Sequence, residues 1–256
     1  MISILKEYEL IEHFVRFQSI FAFVGDSPIP LLGLAETVDF ESANLFFSPE
    51  KSEKMKHLKS YLSEKYQNRT FHFHKLPRMN DTPSQVKAIV DIFKSPDFYD
   101  NSESAVFVSA GTSTMVLTML YHARCRYSIT IRKKLEFIIS DSNSSNKKIS
   151  FHLDGEKLDL NSILHSCGWK YDTKEKVLKS ENLRLSEKID ASYSSEMGEL
   201  SFKCVVSKSP KHGEKIVSFM SSLRKEFGVN GANYVVKGPL TRREKNLLPV
   251  GIRHMK

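Results

Sequence analysis

The clearest candidate for chemistry in this sequence is a turn of small polar residues directly before a predicted helix. The turn SAGTST runs from Ser109 to Thr114. Its candidate binding residues are Gly111, Thr112, Ser113 and Thr114. Backbone amides at a helix N-terminus bind anions, and nearby hydroxyls can add hydrogen bonds. The turn therefore predicts an anion- or nucleotide-binding site, with an ordinary helix cap as the alternative. The turn matches neither the P-loop pattern GxxxxGK[ST] nor the dinucleotide-binding pattern GxGxxG.

Two further loops carry polar residues after predicted strands. The loop GDSPIPLLG, residues 25–33, contains Asp26 and Ser27, and its two prolines restrict φ and stiffen it. A second loop, SPEK, contains Ser48, Glu50 and Lys51. A rigid loop at a strand end is suited to form one wall of a ligand site, and a structural turn without a ligand is the alternative.

Other polar residues give weaker signals. His72 and His74 alternate on one strand and so share a face, but no cysteine or carboxylate pair lies near them in sequence. We interpret them as edge-strand residues. The three cysteines are too scattered for a disulfide framework or a zinc site, and no Gly-x-Ser-x-Gly elbow is present.

Strands and helices alternate around these loops. The strands are predicted at 19–25, 43–48, 70–76 and 104–110, and the helices at 49–66, at 82–95 with Thr82 as the cap, and at 112–126. This alternation predicts an α/β fold with a Rossmann-like, mostly parallel sheet and right-handed crossovers. Ligands of such sheets bind at the carboxyl ends of the strands, which is where all three loops lie.

The rest of the chain is predicted as flanking segments and a second, smaller α/β domain. An amphipathic helix is predicted over residues 1–18, and a β-hairpin over 135–141 and 148–154 completes a first domain of residues 19–170. Residues 171–190 are charged and lack an apolar period, which predicts a linker with one helical turn. A second domain is predicted over residues 191–256, with a helix that ends at a Gly228 cap.

Composition and charge limit the function classes. The chain has 256 residues, is 40% hydrophobic and has no apolar run long enough to cross a bilayer. We therefore expect a cytoplasmic protein without a membrane partner. The net charge is +8, and residues 201–256 alone contribute 12 Lys and Arg against 3 Asp and Glu. A basic C-terminal part suits a polyanion such as nucleic acid, and a solvated basic face is the alternative.

The ordered set of these motifs resembles a known family. GDSPIPLLG, FFSPEKSEKMKHL, SAGTSTM and LEFIISD occur in the order and approximate spacing of the CARF domain of type III CRISPR ancillary nucleases. The chain is most similar to the group that joins CARF to a PD-(D/E)xK-like nuclease. The likeness spans residues 19–170, and it depends on the order of the motifs rather than on any one of them.

The resemblance implies a homodimer that binds a cyclic oligoadenylate, most often the tetra-adenylate, across its two-fold axis. A symmetric ring suits a symmetric dimer because each subunit presents the same loops to half of the ring. Asp26 and Ser27 would then line one wall, and the SPEK loop residues Ser48, Glu50 and Lys51 a second. Residues 111–114 would form the floor. Ser113 stands where the family has a lysine, which removes a cation that could meet a phosphate.

The C-terminal domain resembles a shortened nuclease of that family. Asp190 stands where the first catalytic Asp would lie, but Lys203 and Val205 occupy the positions of the Glu-x-Lys pair. An active nuclease would need Mg²⁺ or Mn²⁺ held by carboxylates, whereas sensing needs no cofactor. We therefore expect an inactive remnant, although Glu196 and Glu199 lie close enough in sequence to substitute.

Four functions stay open from the sequence. The first is a dimeric cyclic-oligoadenylate sensor with a degenerate effector. The second is a metal-dependent endonuclease that the same ligand activates. The third is a ring nuclease, in which residues 112–114 position a ribose 2′-hydroxyl. The fourth is a regulator that binds nucleic acid through its C-terminal part, although no helix-turn-helix supports it.

Overall fold

The structure is a computed structural model that describes most of the chain. The described residues are 16–78, 81–95, 103–108, 111–132, 135–143, 148–153, 158–180, 183–194, 198–207, 212–228 and 232–255. Most of the helix predicted over residues 1–18 therefore lies outside the described residues. Ser109, Ala110 and Glu196 also lie outside them.

A seven-stranded sheet dominates the described part of the chain, in the order β3-β2-β1-β4-β5-β6-β7. Strands β1 to β5 pair in parallel, and β6 and β7 add an antiparallel hairpin. The strands are β1 Phe17–Phe23, β2 Phe40–Phe47, β3 Thr70–Lys75, β4 Ser104–Phe107, β5 Tyr127–Arg132, β6 Glu136–Asp141 and β7 Lys148–His152. The predicted α/β class with a mostly parallel sheet is confirmed.

Helices cover both faces of this sheet. They are α1 Ile29–Thr37, α2 Ser52–Lys65, α3 Thr82–Phe93, α4 Ser113–Ala123 and α5 Leu160–Ser166, and a 3-10 turn over Pro49–Lys51 precedes α2. Alternate residues of β1 point to opposite faces, so Ile20 packs in the core beneath α1 and α2 and Phe21 in the core beneath α3 and α4. Burial on both faces explains why these strands are nearly continuously apolar.

The sequence analysis missed one helix and one strand of the main α/β unit. Helix α1 follows Pro28 and is buried almost all round, so it has no amphipathic period that would mark it as a helix. Strand β5 is mixed in polarity and follows α4 after three residues. The prediction of Thr82 as the cap of α3 was wrong. The N-cap is Asp81, one position earlier, and its carboxylate accepts the N–H of Ser84.

The charged segment predicted as a linker forms a small antiparallel sheet instead. Its strands are β8 Trp169–Asp172, β9 Val177–Ser180 and β10 Leu185–Lys188. Each strand has four residues, and few of these are buried apolar side chains, of which Trp169 and Leu178 are examples. That is too few positions to produce a recognisable alternation in the sequence.

A four-stranded sheet and two helices form the C-terminal unit. The strands are β11 Asp190–Ser194, β12 Glu199–Val205, β13 Ala232–Lys237 and β14 Ile252–Met255, and the helices are α6 His212–Phe227 and α7 Arg242–Leu247. As predicted, α6 ends at Gly228, which has φ of +78° and donates its N–H to the Arg224 carbonyl. Trp169 packs edge-on against Phe219 of α6, so one hydrophobic core runs through both units. The domain boundaries stay a prediction.

Within the described part of the chain, no helix combines the length and the apolar character that a membrane span requires.

We predict that truncating a side chain in the centre of the main sheet lowers stability strongly. Leu45 on β2 is fully buried, so Leu45→Ala should reduce the free energy of unfolding by about 2–5 kcal/mol, through lost transfer energy and a residual cavity. Leu247→Ala is the matched control, because Leu247 is 54% exposed. Urea denaturation measures both variants, and equal losses would contradict the proposed position of β2.

Candidate functional site

The three predicted loops meet at one cavity of about 240 Å³. Strands β1, β2 and β4 are parallel neighbours, so their carboxyl ends lie at the same edge of the sheet. The chain leaves β1 toward β2 and returns to the other side of β1 as β4, which makes this edge the topological switch point. The lining residues are Phe23, Val24, Gly25, Asp26, Phe46, Phe47, Ser48, Lys51, Gly111, Thr112 and Met115.

Lys51 provides the cation of the cavity. Its ammonium donates to the Val24 carbonyl at 3.0 Å and to Oδ1 of Asp26 at 2.9 Å. The side chain of Lys51 is 15% exposed and that of Asp26 72% exposed, so the stem of the lysine is buried while the carboxylate faces solvent. The hydrogen bond from Lys51 lowers the pKa of Asp26, and the charge of nearby Lys54 lowers it further.

The N-terminus of α4 forms the opposite side of the cavity. Thr112 is the N-cap, and its Oγ1 accepts the N–H of Met115 at 3.4 Å. Gly111 precedes it with φ of +94°, and a Cβ at this position would lie 2.7 Å from the Phe23 ring. Only glycine allows this close approach of the backbone to β1. The sequence prediction of a helix N-terminus at this loop is therefore correct in its local geometry.

Ser48 places a hydroxyl at the end of β2. The residue is 5% exposed, and its Oγ has no hydrogen-bond partner among the described residues. A buried hydroxyl without a partner is unfavourable. A ligand group that forms a hydrogen bond with it would therefore bind more tightly.

Four of the nine predicted ligand-binding residues do not line this cavity. Ser27 accepts the N–H of Ile29 at 3.3 Å and so helps to begin α1. Glu50 is exposed in the 3-10 turn, and Ser113 and Thr114 are exposed in the first turn of α4. Their roles in binding stay predictions, and all four lie within two residues of a residue that does line the cavity.

The sequence analysis missed the apolar part of the cavity. Phe23 and Phe46 end the buried portions of β1 and β2, and Met115 lies in the first turn of α4. All three belong to the hydrophobic core on the α3 and α4 face. The only available signal was that all three lie within two residues of a polar loop in the sequence.

Asp190 lies away from this cavity, at the start of β11. Its carboxylate accepts from the ammonium of Lys176 at 2.7 Å, and this hydrogen bond lowers the pKa of Asp190. In the strand register Asp190 faces Lys203 on β12. Glu199 lies at the other end of β12, where its Oε2 accepts from the Asn233 amide.

These surroundings do not fit a divalent metal. Hard cations such as Mg²⁺ need several oxygen ligands, whereas the charged groups nearest to Asp190 are two lysines. Among the described residues, no group of three His, Cys, Asp or Glu side chains is placed to hold a metal ion.

Comparison with solved structures shows proteins of the same fold. Can2 from Sulfobacillus thermosulfidooxidans, solved in complex with cyclic tetra-adenylate, matches with a TM-score of 0.58 and 10% identity over 93% of each chain. Protein VC1899 from Vibrio cholerae matches with a TM-score of 0.57 and 9% identity over 94% of each chain.

A type III CRISPR defence DNA nuclease activated by cyclic oligoadenylate matches with a TM-score of 0.54 and 10% identity, over 86% of this chain and 45% of that one. No protein-family model and no curated protein sequence matches the chain. At these identities the matches show a shared fold that extends through the C-terminal unit.

We predict that Lys51→Met raises the pKa of Asp26 toward its ordinary value, because the variant removes the hydrogen bond and the positive charge that favour the carboxylate. An NMR titration of the Asp26 carboxyl carbon measures this change. Because the folded-state pKa is lowered, the ion pair stabilises the fold above the ordinary pKa of Asp, and this contribution is lost as the pH falls through the lowered value.

Lys56→Met is the matched control for this titration, because Lys56 is exposed on α2, five positions after Lys51, and pairs with Glu53. An unchanged pKa of Asp26 in Lys51→Met would contradict the described contact.

Proposed function

We propose that this chain is a dimeric sensor that binds a cyclic oligoadenylate, cyclic tetra-adenylate in the first place, in type III CRISPR antiviral defence. The observation that carries this proposal is the convergence of three separate loops on one cavity at the switch point, with Lys51 and a helix N-terminus facing it. The shared fold with Can2, which was solved with cyclic tetra-adenylate, supports the choice of ligand.

The cavity offers groups for both parts of a nucleotide. An ammonium has three protons, and Lys51 uses two of them on the Val24 carbonyl and on Asp26, so the third can reach a phosphate oxygen. The N-terminus of α4 also attracts phosphate. The rings of Phe23 and Phe46 provide an apolar surface suited to a purine base.

The size of the cavity supports a site shared by two subunits. Cavities that enclose small ligands measure about 300–1,000 Å³, and this one measures about 240 Å³, which is too small for a ring of four nucleotides. Glu50, Ser113 and Thr114 are exposed beside the cavity, where they would face the part of the ring held by the second subunit.

Helix α4 presents an exposed apolar face that would suit the dimer interface. Leu117 is 65% and Tyr121 79% exposed, and Leu120 lies between them on the same side of the helix. This face begins one turn after Thr112, so a two-fold contact along α4 would bring two cavities together. A two-fold interface uses the same surface of both subunits, so this face would pack against its own copy.

We propose that the C-terminal unit does not cleave nucleic acid with a metal ion. Lys176 and Lys203 surround Asp190, and Glu199 bonds Asn233 at the other end of the hairpin. The basic residues of this unit instead suit an electrostatic contact with a nucleic acid. We also propose that the bound ring stays intact. The Thr112 hydroxyl accepts a backbone N–H in the helix cap and keeps its own proton for a hydrogen bond to the ligand.

We predict that isothermal titration calorimetry detects binding of cyclic tetra-adenylate, and that Lys51→Met weakens this binding about tenfold or more through the loss of a charge-assisted hydrogen bond. Lys56→Met is the control, because its ammonium lies outside the cavity. Cyclic hexa-adenylate is titrated in parallel. Absence of binding to either ring would refute the proposed function.

We also predict that the saturated protein leaves DNA, RNA and the ring intact in the presence of Mg²⁺ or Mn²⁺. Gel electrophoresis detects cleavage of the nucleic acids, and chromatography of the released ligand detects cleavage of the ring. Metal-dependent cleavage that disappears in Asp190→Ala would establish the nuclease alternative, and a linearised ligand would establish the ring-nuclease alternative.

A further inference from the structure

A buried lysine connects the ligand loop to the C-terminal unit. Lys54 lies on α2 and is 8% exposed. Its ammonium donates to the backbone carbonyl of Asp26, in the loop that follows β1, and to the backbone carbonyl of Glu226 at 2.6 Å. The two acceptors are separated by 200 positions in sequence, and one of them belongs to a residue that lines the cavity.

The second acceptor is part of the C-terminal end of α6. The last carbonyls of a helix have no partner within the helix and carry the negative end of its dipole, so a cation is favourable there. Gly228 follows with φ of +78°, and a Cβ at this position would lie 2.8 Å from Cβ of Asp26. The ligand loop and the end of α6 are therefore in direct contact, and Lys54 bonds both.

Tyr234 extends this contact into the C-terminal sheet. Its hydroxyl donates to the Gly228 carbonyl at 2.8 Å, and the residue is 1% exposed. Tyr234 lies on β13 and pairs in register with Phe202 of β12, with the two rings stacked at 5.9 Å. A continuous series of contacts thus runs from the cavity through Lys54 and the end of α6 to the strand hairpin that carries Asp190.

We propose that Lys54 is a positioning residue that couples ligand binding in the cavity to the C-terminal end of α6. A ligand that moves the loop at Asp26 changes the position of one acceptor of Lys54. The same ammonium must then adjust to the carbonyl of Glu226, because a buried ammonium is costly without its acceptors. The ligand in this inference rests on the proposed function, whereas the connection made by Lys54 does not.

The connection is tested first without ligand, by hydrogen–deuterium exchange on the full chain. Lys54→Met keeps the length of the side chain and removes its donors. We expect faster exchange in two peptides, one over residues 25–32 and one over residues 224–228, whereas exchange in the control Lys56→Met stays as in the wild type. Faster exchange in only one peptide, or in neither, would overturn the connection.

The single tryptophan reports whether the variant is folded. Trp169 is 1% exposed and contacts Phe219 of α6, so its emission should stay at the wavelength of a buried indole in folded Lys54→Met. If this variant does not fold, Tyr234→Phe tests the connection from the other end, because it removes the bond to the Gly228 carbonyl. It should also accelerate exchange over residues 25–32, and a change confined to residues 224–228 would overturn the connection.

The coupling to the ligand is tested by a double-mutant cycle on the dissociation constant of cyclic tetra-adenylate. Tyr234 lies outside the cavity, so Tyr234→Phe alters affinity only through coupling. We expect it to weaken binding about fivefold or more when Lys54 is present, and less than about twofold in the Lys54→Met background. Equal effects in the two backgrounds would contradict the coupling.

The exchange experiment and the double-mutant cycle separate this inference from the proposed function. If the wild type binds neither cyclic tetra-adenylate nor cyclic hexa-adenylate, the proposed function fails, and the exchange experiment alone decides whether Lys54 connects the loop to α6. If the ring binds and the cycle shows no coupling, the proposed function stands and the coupling role of Lys54 is wrong.

Discussion

The parallel pairing of β1 with both β2 and β4 is the constraint on which the candidate site depends. It places the carboxyl ends of three strands at one edge of the sheet, although the loops that follow them begin near residues 24, 48 and 108 of the sequence. The pairing holds because alternate residues of β1, such as Ile20 and Phe21, fill the cores on the two faces of the sheet. A shift of β1 by one residue would exchange these faces and move the loops out of register.

Two lysines place positive charge at this edge of the sheet. Lys51 ends the 3-10 turn and Lys54 lies in the first turn of α2, and both bond to the loop after β1. Lys51 directs its ammonium toward the cavity, whereas Lys54 is buried and also bonds the end of α6. The same short segment therefore provides a cation for an anionic ligand and a fixed contact to the C-terminal unit. The candidate site and the C-terminal unit are both held by this segment.

The sequence was informative where local patterns determine the structure, and it was silent where distant residues meet. Thr112 and Gly228 were correctly predicted as helix ends, because capping depends on neighbouring residues. The sheet class followed from the alternation of strands and helices, and the hairpin of β6 and β7 from two strands around a polar turn. Helix α1 and the sheet of β8 to β10 gave no usable period. Lys54 could not be predicted as a connecting residue, because its partner carbonyl lies 172 positions away.

The most direct test of the account is the stoichiometry of the complex with cyclic tetra-adenylate, because the central claim is a site completed by two subunits. Native mass spectrometry of the wild type with excess ring measures it. The account predicts a species of two chains with one ring, and predicts that Leu117→Glu, which places a charge on the exposed face of α4, shifts the population to single chains with little bound ring. A complex of one chain with one ring, or a wild type that binds no ring, would contradict it.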